Sequence, residues 1–215
     1  MAPPAVIYLH GFASSSKSTK ASFLAERLRA CGITLGCPDF NQPSFATLTM
    51  TRMLEQLENV LPPPPARVTF VGSSLGGTLA VLAAGRFGER IDRLVLLAPA
   101  VMFAKEGHHL LPSSRIEEWR RKGELPFFHY AENAERPLRF AFYEDSLRYN
   151  AFDTVFPQPA LIFQGQRDES VNPAMVEAFA SARPNARLIR LDDDHQLTAS
   201  LPIIWEETSR FLGLA

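Results

Sequence analysis

At 215 residues and 46% hydrophobic content, the chain is long enough to bury the core of one domain and far too apolar to be disordered. Its 22 basic and 23 acidic residues are mixed along the chain and leave a net charge of −1. That balance excludes the clustered Lys and Arg of a nucleic-acid or anionic-membrane footprint and points to a small-molecule partner.

The opening MAPPAVIYLHGF has no basic leader, and its apolar run, Ala5 to Leu9, is too short for a signal-peptide core or a membrane span. A cytoplasmic location is expected. Val6 to His10 is a continuous apolar run of the kind that a strand buried on both faces needs. The loop ASSSKSTK follows, rich in hydroxyls. Ser16 or Ser18 suits the cap of the next helix, and Ser14 or Ser15 is open to a polar group of a substrate. Lys17 to Arg29 spaces Ala21, Leu24, Ala25 and Leu28 helically and stops at Gly32. Cys31 and Cys37 lack a CxxC spacing, so reduced and partly buried thiols are expected. ITLGCPDF reads as a strand, with Gly36 and Pro38 placing it at an edge. Thr47 to Leu61 is an amphipathic helix that Pro62 to Pro65 end sharply.

Val68 to Val71 is again a buried strand, followed by the turn GSSLG and a helix from Gly76 to Phe87. Further strands are expected at Arg93 to Pro99, Pro159 to Gly165 and Ala186 to Leu191, with helices at Pro173 to Ser181 and Ile203 to Leu212. This alternation predicts an α/β fold, a mostly parallel sheet with helices on both faces, as one domain over residues 1–215. Residues 102–156, between the strands at 93–98 and 159–164, break the rhythm. A helix around Trp119, a loop and a hairpin near Arg139 to Tyr143 are expected there, forming a lid or a docking surface. Its Leu110, Leu111, Trp119, Phe127, Phe128 and Tyr130 either line an acyl pocket or pack the insert onto the core.

Gly72-Ser73-Ser74-Leu75-Gly76 matches G-x-S-x-G, with Ser74 at its centre. A strand that turns into a helix this tightly strains its central residue, and the flanking positions approach too closely for side chains. The hydroxyl is then held clear of the sheet at a helix N-terminus, where the Leu75 N–H can meet an oxyanion. No Gly-Lys-Ser/Thr follows, so the turn is not a Walker loop. Its bland alternative is a Gly-Ser-rich strand-to-helix turn.

A serine nucleophile needs a base and a carboxylate to orient it. Of five histidines, His195 in LDDDHQL follows the last strand and is the candidate base; His108, His109 and His129 belong to the insert, and His10 suits shaping the oxyanion turn. Asp168 in FQGQRDESV follows the penultimate strand and is the candidate carboxylate, with Glu169 its near rival and Asp145 and Asp153 weaker ones. Asp192, Asp193 and Asp194 adjoin His195 too closely in sequence and suit a turn. The order Ser, Asp, His is that of the α/β-hydrolases, not that of chymotrypsin or subtilisin. After the first strand, His10-Gly11-Phe12 offers the Phe12 N–H as a second oxyanion donor. Neither a metal nor an organic cofactor is needed for this chemistry.

Together these residues resemble the α/β-hydrolase superfamily. More narrowly, YLHGFASSSKSTKASFLAERL, VGSSLGG and WEETSRFLGLA resemble the small YqiA-type bacterial esterases over nearly the whole chain. The resemblance implies a compact esterase fold that starts at the HGF strand, and hydrolysis of short acyl esters. The chain departs from the family pattern in reading SSSKS where a proline is expected, and in a longer, more charged insert. A thioesterase or lysophospholipase would use the same three residues. A catalytically inactive hydrolase scaffold that binds a partner is the alternative of another class.

Overall fold

The computed structural model describes residues 5–105 and 111–214. Six strands form one parallel sheet: β1 (Ala5–Leu9), β2 (Leu35–Gly36), β3 (Val68–Ser73), β4 (Ile91–Leu97), β7 (Ala160–Gly165) and β8 (Ala186–Leu191), in the order β2-β1-β3-β4-β7-β8. Every pairing in it is parallel, as the expected alternation requires. The second strand is shorter than ITLGCPDF suggested. Only Leu35 and Gly36 pair with β1, at the sheet edge where Gly36 and Pro38 are tolerated.

The inner strands β1, β3, β4 and β7 are largely buried on both faces, and alternate residues feed two separate cores. Ile7, Leu9, Phe70, Leu94, Leu96 and Ile162 face α2 (Met50–Val60), α3 (Leu75–Phe87) and α6 (Pro173–Ser181). Val6, Tyr8, Val71, Val95, Leu161 and Phe163 face α1 (Thr19–Ala30) and α7 (Leu201–Leu212). Each helix begins within three residues of its expected start. Ser18, not Ser16, caps α1: its hydroxyl accepts the Ala21 N–H. Both cysteines are free. Cys37 is half-buried, but Cys31 is exposed, as the C-cap one residue past the end of α1.

The chain runs from β1 outward to β2 in one direction and from β3 to β4 in the other. The sheet order therefore reverses between β1 and β3, and the loops leaving their carboxyl ends diverge into a crevice.

Between β4 and β7 lie α4 (Ser113–Lys122), an antiparallel hairpin of β5 (Glu124–His129) and β6 (Ala134–Arg139), and α5 (Ala141–Ser146). The hairpin sits earlier than expected, and Arg139 to Tyr143 turns into α5 instead. Pro126 and Pro137 face each other across the ribbon. Each strand of a two-stranded ribbon has a free edge, where a missing N–H costs nothing. Trp119 is buried, donates its indole N–H to Leu138 O (2.8 Å), and packs against Phe127, Phe140 and Phe142. The space left inside this aromatic cluster is about 30 Å³, so it is a packed joint and not an open acyl pocket. Phe128 and Tyr130 are exposed, and Leu110 lies outside the described residues. Among the described residues no helix is long and apolar enough to cross a membrane.

Candidate active site

Ser74 follows β3 directly, with φ 52° and ψ −117°, a backbone conformation that L-residues adopt at a cost. Two glycines make the turn possible. A Cβ on Gly76 would stand 1.9 Å from Leu9 O, and one on Gly72 would stand 2.4 Å from Gly76 O. The start of α3 thus lies directly on the end of β1. The turn is pinned from β4 as well: Ser74 N–H donates to Leu97 O (2.9 Å), and Ala100 N–H donates to Ser74 O (3.1 Å).

The structure brings the three candidate residues together across 121 residues of chain. His195 Nε2 is 3.1 Å from Ser74 Oγ, and His195 Nδ1 is 2.9 Å from Asp168 Oδ2. With the Nδ1 proton directed at the carboxylate, Nε2 is free to accept from the serine hydroxyl. The Asp168 side chain is fully buried, and its other oxygen, Oδ1, accepts the N–H groups of Ser170 (2.9 Å) and Val171 (2.8 Å). Burial alone would raise the Asp168 pKa. The hydrogen bonds from His195, Val171 and Gln164 outweigh it and hold the group below the ordinary carboxylate value.

The rivals are engaged elsewhere. Glu169 is exposed. Asp145 accepts the Thr51 N–H (2.8 Å) and hydroxyl (2.6 Å) at the start of α2, and Asp153 pairs with Asn150. Asp193 accepts from the N–H groups of Asp194 and Ser200, and Asp194 from that of Gln196, so both build the turn that carries His195; Asp192 pairs with Arg167. His10 holds the glycine turn after β1: Nδ1 donates to Gly11 O (2.9 Å), and Nε2 accepts the Phe40 N–H (3.1 Å). Burial lowers its pKa, in keeping with a neutral ring. His129 is buried in the hairpin against Phe45, with ring centroids 4.9 Å apart. His108 and His109 lie outside the described residues.

A cleft of about 690 Å³ opens over Ser74 and His195 at the crevice between β1 and β3, and both Phe12 and Leu75 line it. The N–H groups of these two residues meet no acceptor among the described residues. The Phe12 ring is wedged between Phe45, Phe127 and Phe142, at centroid distances of 5.5 to 5.6 Å. Among the described residues no cluster of three His, Cys, Asp or Glu side chains is placed to hold a metal ion.

Three residues at the site carried no flag in the sequence. Gln164, buried at the end of β7, donates to Asp168 Oδ2 (2.9 Å). Lys20, buried in the first turn of α1, donates to Gln196 O (2.9 Å), beside His195. Tyr8, fully buried on β1, shares hydrogen bonds with Ser18 and Ser73, and burial pushes its pKa up to about 12. Gln164 as the one polar side chain before the glycine of an apolar strand, and Lys20 four residues ahead of Leu24 and eight ahead of Leu28, were the available signals.

A family model described as "Uncharacterised protein family (UPF0227)" matches residues 5–209. Est1E from Butyrivibrio proteoclasticus, solved with ferulic acid bound, is 23% identical, with a TM-score of 0.82 covering 97% of this chain and 88% of that one. Alpha/beta hydrolase domain-containing protein 10 from mouse is 21% identical, with a TM-score of 0.80 covering 98% and 90%. The chain therefore has the α/β-hydrolase fold. The bifunctional biotin biosynthesis protein BioHC of Teredinibacter turnerae is 32% identical over 106 residues, which are 46% of this chain and 18% of that protein. The chain thus matches less than a fifth of the length of that curated relative.

Proposed function

The chain belongs to the UPF0227 family, and from that membership and the site geometry we propose that it is a serine hydrolase of small carboxylic esters. The observation that carries this reading is the unbroken hydrogen-bonded line from Ser74 Oγ through His195 to the buried Asp168, at a glycine-forced turn. His195 takes the Ser74 proton as Oγ attacks the ester carbonyl, then returns it to the departing alcohol. Asp168 fixes the ring tautomer and offsets the charge of the imidazolium. The N–H groups of Phe12 and Leu75 receive the oxyanion. Water, activated by the same histidine, releases the acid and restores Ser74.

A thioesterase or long-chain lysophospholipase would use these same steps. The filled aromatic joint under the insert leaves little room there for a long chain and favours a short acyl group. An inactive binding scaffold would have no need of a strained Ser74 aligned with His195. Treatment with a fluorophosphonate probe decides the matter: covalent labelling of the wild-type protein and none of Ser74→Ala is expected. An unlabelled wild type would overturn the reading.

A further inference from the structure

The cleft over Ser74 carries basic side chains that a short, neutral ester would not need. Its wall toward α1 carries Lys17, Lys20, Ser14, Ser15 and Thr19, and no carboxylate side chain is among the described residues that line it. Lys20 is only 8% exposed, yet it keeps an ammonium group there. Gln196 O, 2.9 Å away, is its one hydrogen-bond acceptor among the described residues, so two of its three protons lack one. Burying a cation this way is costly unless something repays it. Burial pushes its pKa down to about 8 against the pull of Asp168, Asp194 and Asp193. Those carboxylates are themselves taken up by His195 and by backbone N–H groups, and none lines the cleft.

The first turn of α1 adds to the same wall. With Ser18 capping the Ala21 N–H, the N–H groups of Thr19 and Lys20 meet no acceptor among the described residues. They sit at the positive end of a 12-residue helix. The positive field, the hydroxyls and the under-coordinated ammonium all adjoin the proposed nucleophile.

We propose that this wall is a subsite for an anion, and that the substrate is a small ester carrying a carboxylate or a phosphate held by Lys17, Lys20 and the first turn of α1. The proposal rests on the serine-hydrolase reading for its ester, but the subsite stands on its own residues.

Binding and turnover test it separately. The Ser74→Ala protein is titrated calorimetrically at low salt with glutarate and with glycerol 3-phosphate, against the neutral glutaramide and glycerol. At least one anion is expected to bind about tenfold or more tightly than its neutral partner, and Lys17→Ala in the same background to weaken it about tenfold. Which anion binds identifies the source of the charge. Lys17 is exposed, so this arm does not depend on the buried Lys20→Gln variant folding. In active enzyme, the ratio of kcat/KM for mono-4-nitrophenyl glutarate over 4-nitrophenyl valerate is expected to fall toward one in either lysine variant, if the carboxylate is the anion. Equal binding of anions and neutral partners, or anion binding unmoved by Lys17→Ala, overturns the subsite. A Lys20 that merely steadies the His195 loop would lower kcat equally for both esters and leave anion binding unmoved, and that too overturns it. Anion binding in a protein whose Ser74 resists the fluorophosphonate probe upholds the subsite and sinks the hydrolase reading instead.

Discussion

Gln164 and His195 donate to the same oxygen of Asp168: Gln164 Nε2 and His195 Nδ1 each lie 2.9 Å from Oδ2. The opposite oxygen takes two backbone N–H groups, so four donors surround one carboxylate. The carboxylate can neither rotate nor take up a proton without breaking several of them. Its fixed plane is what sets the His195 ring in line with Ser74.

Gln164→Leu removes one of those four donors. The Asp168 pKa then rises, because the charged form has lost a hydrogen bond. The acid limb of kcat/KM is expected to move to higher pH with it, with turnover at neutral pH down about tenfold. A pH–rate profile checks this; an unshifted limb would show that Gln164 is only filling space.

Gly76→Ala forces a methyl group to within 1.9 Å of the Leu9 carbonyl oxygen, which is backbone and cannot swing aside. A loss of about 4 kcal/mol or more in unfolding free energy is expected, at the extreme of single substitutions. Urea denaturation measures it. A midpoint close to wild type would mean that α3 and β1 separate far more readily than their packing implies.

Lys20 gives a pH signature in stability. Its pKa is about 8 folded, against an ordinary 10.5. Between those values the unfolded chain binds more protons than the native one, so stability rises with pH there. Below about pH 8 the full cost of the buried charge is present, and it is relieved as the group deprotonates. Lys20→Met lacks this effect. The wild type is therefore expected to gain about 2 kcal/mol relative to the variant between about pH 8 and about pH 10. Parallel denaturant titrations at the two pH values read the difference.

Phe12→Ala empties the wedge between Phe45, Phe127 and Phe142. A loss of about 3 kcal/mol is expected from the lost burial and the void. Because the Phe12 N–H is a proposed oxyanion donor, kcat should fall more than KM rises. Phe12→Leu, which keeps most of the volume, should recover much of both. Calorimetric melting and steady-state kinetics on a 4-nitrophenyl ester test the pair.

The parallel sheet was legible because its inner strands are apolar on both faces, and Ser74, Asp168 and His195 because each follows a strand of the sheet by a few residues. What escaped was whatever looked like its surroundings. Gln164 closes a strand of otherwise apolar residues, and Lys20 shares a helix surface with Leu24 and Leu28 while carrying a charge that normally marks the solvent side. The insert was misread for the opposite reason. Pro126 and Pro137 forbid a central strand but not an isolated ribbon, while the alternating Phe140 and Phe142 mimic a strand where the backbone enters α5. Period-two patterning and proline position report a strand's neighbours as much as the strand itself.

The contact of Gly76 with Leu9 has a mechanical consequence. With no side chain between them, the end of β1 and the start of α3 move as one rigid node, and the loop leaving β1 is anchored there one residue on, at His10. Any ligand that widened the gap between the Phe12 and Leu75 N–H groups would have to work against the seam of the sheet. The looser part of the cleft is its far rim, where the hairpin reaches the node through the Phe12 ring and the hydroxyl loop flanks α1.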